Sequence, residues 1–151
     1  MSEPVITDFA LPSTGNTTFK LSDQRGKRVV VYFYPKDNTP GCTVEGQEFR
    51  DLYPQFQQAN TVVVGISRDS LKSHENFKAT QGFPFELLSD TEGTLCERFG
   101  VMKMKNLYGK QVRGIERSTF VFDADGKLVK SWRGLKAPGH AGEVLAFVQT
   151  L

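Results

Sequence analysis

Cys42 is one of two cysteines in the 151-residue chain, and it stands in a setting that suits a nucleophile. Residues 38–44 read NTPGCTV, directly after the apolar run VVVYFY at 29–34 and directly before GQEFRDLYPQF. Thr39 followed by Pro40 reads as a helix start, because Thr is a favoured N-cap and Pro suits the first helical position. Cys42 is then the third helical residue. There the backbone N–H groups have no acceptors within the helix and the helix dipole favours an anion, so a thiolate gains over a thiol. The thiolate is the nucleophilic form of cysteine. Thr39 precedes Cys42 by one helical turn, which predicts its hydroxyl beside the sulfur. Cys42, Phe49 and Phe56 repeat every seven residues, so the sulfur belongs to the apolar face and is expected to line a sheltered pocket. Glu45 falls on that face too, where a carboxylate is costly unless paired, and a cationic partner is expected. The plain alternative is that Cys42 packs as a small hydrophobe, as most free cysteines do. The helix N-terminus and the βα turn, where ligands bind in open α/β sheets, favour reactivity.

The elements that must hold this group follow from periodicity. RVVVYFY at 28–34 and TVVVGIS at 61–67 read as central strands covered on both faces. Between them Phe49, Leu52, Tyr53 and Phe56 form the stripe of an amphipathic helix, which Pro54 interrupts late. Strand, helix and strand in that order predict parallel neighbours. SLKSHENFKATQG at 70–82 reads as a polar surface helix closed by Gly82, FELLSD at 85–90 as a short strand, and DTEGTLCERFG at 90–100 as a short helix. RSTFVFD and KLVKSWR flank DADG as an antiparallel hairpin, and AGEVLAFVQTL supplies a closing helix. The expected architecture is α/β, a mixed central sheet with helices on both faces, folded as a single domain over 1–151. Residues 103–114 fit no element and read as a mobile loop.

Composition narrows the function. The 19 basic and 17 acidic residues include no long run of one sign, which argues against nucleic acid and acidic membranes as partners. No segment approaches the ~20 apolar residues of a membrane span, and MSEPVITDFALP lacks the apolar segment of a secretory leader. Two cysteines without zinc-ligand spacing predict a cytoplasmic protein that keeps its thiols reduced. His74, on a polar helix, and His140, in a Gly-rich loop, read as solvated surface residues. GLKAPGHA has the glycine spacing of a phosphate loop, but His140 stands where the essential lysine belongs. Trp132 and the phenylalanines read as core.

YPKDNTPGCTVEGQEFRD closely resembles the active-site signature of peroxiredoxins, P-x-x-x-T-x-x-C, carried here by Pro35, Thr39 and Cys42. Its form with Y-P-K and T-P-G-C-T-x-E is similar to the Q-type group, also called bacterioferritin comigratory proteins. The likeness extends to DFALP, SDTEG and RSTFVFDADGK. It implies a thioredoxin-like fold and thiol-dependent reduction of hydrogen peroxide and organic hydroperoxides, with no metal, flavin or haem. By the same likeness Cys42 is the peroxidatic cysteine, which becomes a sulfenic acid. Thr39 would hold the peroxide, Pro35 would shield the sulfenate, and Arg117 would be the active-site arginine. Glu45 has counterparts in the group, and an ion pair with an arginine would answer its burial.

The resemblance also shows what the chain lacks. Relatives place a resolving cysteine five positions after the peroxidatic one, here Gln47, or in the next helix, here Lys78. Cys96 is a possible resolving partner, but Leu95, Cys96 and Phe99 fit one inward helical face, and bridging to Cys42 would require local unfolding. The favoured expectation is a one-cysteine cycle resolved by thioredoxin or by glutathione with glutaredoxin, in a monomer or weak homodimer. A peroxide sensor or relay shares the first chemical step. A non-catalytic thioredoxin-like binding module has no need of Pro35, Thr39, Cys42 and Arg117 together.

Overall fold

The computed structural model describes residues 6–151, so the first five residues of MSEPVITDFALP lie outside the described residues. In chain order the elements are β1 (Ala10–Ser13), β2 (Thr17–Lys20), β3 (Arg28–Phe33), α1 (Pro40–Gln58), β4 (Thr61–Ser67), α2 (Leu71–Gln81) and β5 (Glu86–Ser89). They continue as α3 (Thr94–Arg98), β6 (Met102–Leu107), β7 (Lys110–Ile115), β8 (Ser118–Phe122), β9 (Leu128–Arg133) and α4 (His140–Val148). Seven strands form one mixed sheet in the order β2-β1-β5-β4-β3-β8-β9. The expected βαβ unit is present, with β3 and β4 parallel and Val30 opposite Val63. The β8–β9 hairpin is antiparallel, as DADG predicts.

The period-2 alternation of the central strands makes two cores. Val29, Val31 and Phe33 point to one face, while Val30, Tyr32 and Tyr34 point to the other. The second face takes the apolar stripes of three helices: Phe49, Tyr53 and Phe56 of α1, Phe77 of α2, and Val144, Leu145 and Val148 of α4. The Phe49 ring stacks on Tyr32 with centroids 4.7 Å apart, and this pins α1 across β3. The first face is covered by Leu95 and Cys96 of α3 with Phe9, Phe19, Leu21 and Phe99. Pro54 lies inside α1 without ending it. Trp132 is only partly buried, packed against the edge of the α1 core.

One sequence expectation fails here. Residues 103–114 are not a loop but most of a second, two-stranded sheet, β6 with β7, paired antiparallel from Met102–Ile115 to Leu107–Lys110. Its turn is Tyr108–Gly109, with φ of 53° and 79°. Two consecutive left-handed residues are what a tight two-residue hairpin demands. The polar, lysine-rich strands hid this, because they leave most of their side chains in solvent and so lack the alternation that marks a half-buried strand.

Candidate active site

β3 ends at Phe33, and the chain crosses the carboxyl end of the sheet through Tyr34–Thr39 before entering α1. Thr39 is the N-cap residue by backbone (φ −86°, ψ 154°) and Pro40 opens the helix. Cys42 therefore sits in the first turn, 2 % exposed, within the α1 core. The Thr39 side chain, however, does not cap the helix. Its hydroxyl donates to the Lys36 carbonyl at 2.8 Å, while the Thr39 carbonyl accepts from the Thr43 N–H and hydroxyl. Asn38, at φ 65°, turns the loop so that the Lys36 carbonyl comes within reach. Pro35 is half-buried at the start of this loop.

Arg117, between β7 and the start of β8, reaches across to this turn. Its Nη1 donates to Glu45 Oε1 at 2.7 Å and its Nη2 approaches Cys42 Sγ at 3.6 Å. The cation expected for Glu45 is thus Arg117, and the guanidinium is shared with the sulfur. Gly41 makes this possible, since a Cβ there would lie 2.9 Å from Nη2. Burial pushes the Glu45 carboxyl up to about 7, although the Arg117 charge opposes it. For Arg117 burial acts in the lowering direction, but Glu45 and Cys42 together outweigh it and the guanidinium is held above its ordinary range. The two shifts favour opposite states of the pair, and exposure reconciles them. The Arg117 side chain keeps 16 % of its surface in water, whereas that of Glu45 keeps none and bears the loss of hydration. Lys105 of β6 adds a second cation, its ammonium donating to the Ile115 carbonyl at 2.5 Å. Its pKa is lowered by burial first and by Arg117 second.

Behind the loop lies a polar cluster that periodicity alone did not reveal. Asp37 Oδ1 accepts from the Tyr34 hydroxyl at 2.6 Å, and its Oδ2 pairs with Ser73 Oγ at 2.8 Å and His74 Nδ1 at 2.7 Å. Its N–H donates to Asp69 Oδ2 at 3.0 Å. His74 is fully buried and not solvated as expected. The signal was available, because His74 and Phe77 stand three apart on the inward side of α2. His140 is likewise buried, with Nε2 2.8 Å from Thr119 Oγ1, and burial lowers its pKa against the pull of Glu143. Asp37, Asp69 and His74 bring ligand-type atoms within 4.8 Å of one another, but those atoms already engage one another and neighbouring hydroxyls, which leaves no open metal cradle.

Cys96 faces away from all of this. It is fully buried in the core on the other side of the sheet, its N–H bound to Asp90 Oδ2 at 2.8 Å, and burial pushes its thiol far up. Gln47 is engaged with Gln81, and Lys78 is ion-paired with Glu86. Among the described residues no helix is long and apolar enough to cross a membrane.

A mixed sheet carrying a sheltered cysteine at a helix N-terminus, with an arginine 3.6 Å from its sulfur, is set here on a thioredoxin-like scaffold. Residues 4–131 match the AhpC/TSA family model, and the chain belongs to that family, in the Bcp or Q-type group of peroxiredoxins. It is 52 % identical to peroxiredoxin Bcp of Xanthomonas campestris, over 92 % of this chain and 87 % of the relative. It is 47 % identical to peroxiredoxin Bcp of Bacillus subtilis, over 91 % and 88 %. Among solved structures, Xanthomonas campestris peroxiredoxin Q superposes with a TM-score of 0.89 at 51 % identity, covering 94 % of this chain and 90 % of that one. A Xylella fastidiosa PrxQ mutant gives 0.92 at 46 % identity, covering 99 % and 96 %. A further Xanthomonas campestris structure, similar at 50 % identity, is described in terms of alkyl peroxide reduction by that protein, with trapped intermediate and ligand complexes.

Proposed function

We propose that this peroxiredoxin reduces hydrogen peroxide and organic hydroperoxides through Cys42 in a one-cysteine cycle. The observation that carries this reading is the bridge of Arg117 between Glu45 and the Cys42 sulfur. The Cys42 thiolate attacks one peroxide oxygen, the O–O bond breaks, and the departing alkoxide or hydroxide takes up a proton to leave as alcohol or water. Cys42 is left as a sulfenic acid. Arg117 Nη2, already at the sulfur, is placed to donate to the oxygens as charge develops on the leaving one. The Thr39 hydroxyl commits its own hydrogen to Lys36, so what it offers a peroxide is a lone pair that accepts the peroxide O–H. Pro35, lacking an N–H, helps keep water from the sulfenate.

An external thiol then attacks the sulfenic sulfur, releasing water and forming a mixed disulfide. A second thiol returns Cys42 to its reduced state and leaves as a disulfide. The external route is favoured because Cys96 lies in the opposite core and Gln47 and Lys78 carry no sulfur. Thioredoxin and glutathione with glutaredoxin are the reductant classes that fit.

Cys42→Ser is expected to abolish peroxide consumption with the circular dichroism unchanged, and activity surviving in that variant would remove the proposal. Running the wild-type protein in parallel with a thioredoxin system and a glutathione–glutaredoxin system identifies the reductant.

A further inference from the structure

The Asp37–His74 pair lies in no part of the reaction described above, yet it occupies the middle of the loop that carries Pro35 and Thr39. Asp37 is 5 % exposed and its carboxylate takes three hydrogen bonds, one from within the loop (Tyr34 Oη, 2.6 Å) and two from α2 (Ser73 Oγ, 2.8 Å, and His74 Nδ1, 2.7 Å). On its other side His74 Nε2 lies 2.9 Å from the Leu88 carbonyl of β5. A carbonyl only accepts, so Nε2 carries a hydrogen. Nδ1 faces a carboxylate, so the short contact there also requires a hydrogen between them. The pair forms a short hydrogen bond sealed from water, and the ring is held on both sides. The loop backbone is tied a second time, by Asp37 N–H to Asp69 Oδ2, and Asp69 in turn is held by Ser67 and by the Ser89 hydroxyl on its carbonyl.

This network fixes a stretch with little reason of its own to stay folded. Asn38 is left-handed at φ 65° and exposed, between Asp37 and half-buried Thr39, and Lys36 before them is exposed too. The Thr39 hydroxyl is oriented by the Lys36 carbonyl, one residue before Asp37, so a shift of Asp37 moves the acceptor that aims Thr39. We infer that Asp37 and His74 are positioning residues for the peroxide step, clamping the 35–39 loop to α2 and β5 so that Thr39 presents its lone pair beside Cys42. The clamp deepens the peroxidase reading and rests on Cys42 being the peroxidatic thiol.

Its test separates aim from thiol reactivity in the full chain. The rate of Cys42 oxidation by hydrogen peroxide, which needs the loop, is compared with the rate of Cys42 alkylation by iodoacetamide, which needs only an accessible thiolate. In His74→Leu the peroxide rate is expected to fall roughly 10- to 100-fold, the scale of loss from small misplacements, with alkylation within about threefold of wild type. His74→Asn retains an amide N–H toward Asp37 and is expected to recover part of that loss, which a purely structural residue would not predict. Ser73→Ala, on the partly exposed first turn of α2, removes one clamp donor at small cost to folding and is expected to shift the same ratio, so the test stands even if His74→Leu does not fold. Equal falls in both rates, or an unchanged ratio in His74→Leu and Ser73→Ala, would overturn the clamp. Loss of peroxide reactivity in the wild type itself would instead overturn the peroxidase reading.

Discussion

At Arg117 one guanidinium serves two neighbours, Glu45 and the Cys42 sulfur, through different nitrogens. A lysine could reach one of them but has no fork to hold both. Arg117→Lys is therefore expected to slow the peroxide reaction on the order of 100-fold, the scale of losing one donor to developing charge, read as the second-order rate constant. Arg117→Ala has a second consequence, since it leaves the buried Glu45 without its cation. With a pKa already about 7 the carboxyl then takes up a proton near neutral pH, so the loss in denaturant unfolding is expected to grow as pH rises above 7. Adding Glu45→Gln should return most of that stability and none of the rate. Glu45 also sets a pH dependence. Its folded pKa of about 7 stands above the ordinary 4.5, so the folded state holds the extra proton between these values. Stability from this group is then full below about pH 4.5 and lost as pH rises through 7. Unfolding curves at stepped pH should show wild type losing up to about 3 kcal/mol relative to Glu45→Gln across this window, at about 1.4 kcal/mol per pH unit. A flat difference would count against the burial of an ionisable Glu45.

In the first turn of α1, Gly41 positions chemistry without taking part in it. Gly41 leaves the space that the Arg117 tip fills, and its substitution meets the far end of a flexible side chain, not backbone. Gly41→Ala should therefore melt within a few degrees of wild type while its peroxide rate falls toward that of Arg117→Lys, because the guanidinium is displaced from the sulfur. Loss of stability in place of rate would mean that Gly41 serves the helix and not the site. Further along the same helix the balance reverses. Phe49 is fully buried against Tyr32, and Phe49→Ala is expected to cost about 3–5 kcal/mol in chemical denaturation.

Across the whole molecule the sheet separates the two cysteines. Cys42 shares a core with α1, α2 and α4, and Cys96 shares the other with α3 and the N-terminal strands. One equivalent of peroxide should accordingly leave Cys42 as a sulfenic acid that a 1,3-dione reagent captures, with Cys96 still a free thiol. Mass spectrometry finding a Cys42–Cys96 linkage would show that the helices unfold far enough to bring opposite faces together, and would replace the one-cysteine cycle.

Local patterns by themselves determined the parts of this protein whose causes are local. The β-branched runs predicted β3 and β4 and their parallel pairing. Thr39-Pro40 marked the start of α1, and the seven-residue spacing from Cys42 to Phe56 placed the sulfur on the inner face. Glu45 on that face called for a cation. The likeness to peroxiredoxins pointed to Arg117 as that cation, but no periodicity encodes it, and that one guanidinium meets both Glu45 and the sulfur depended on bringing residue 117 to residue 42. The spacing of His74 and Phe77 did signal that His74 is buried, but the partners of His74 and His140, Asp37 and Thr119, come from other elements and were hidden for the same reason. The β6–β7 hairpin escaped because solvent-facing lysines remove the alternation by which strands are read. The side of the sheet on which each cysteine lies was decided only when the tertiary structure set α1 and α3 on opposite faces, because a helix stripe states that it is buried and not against which core.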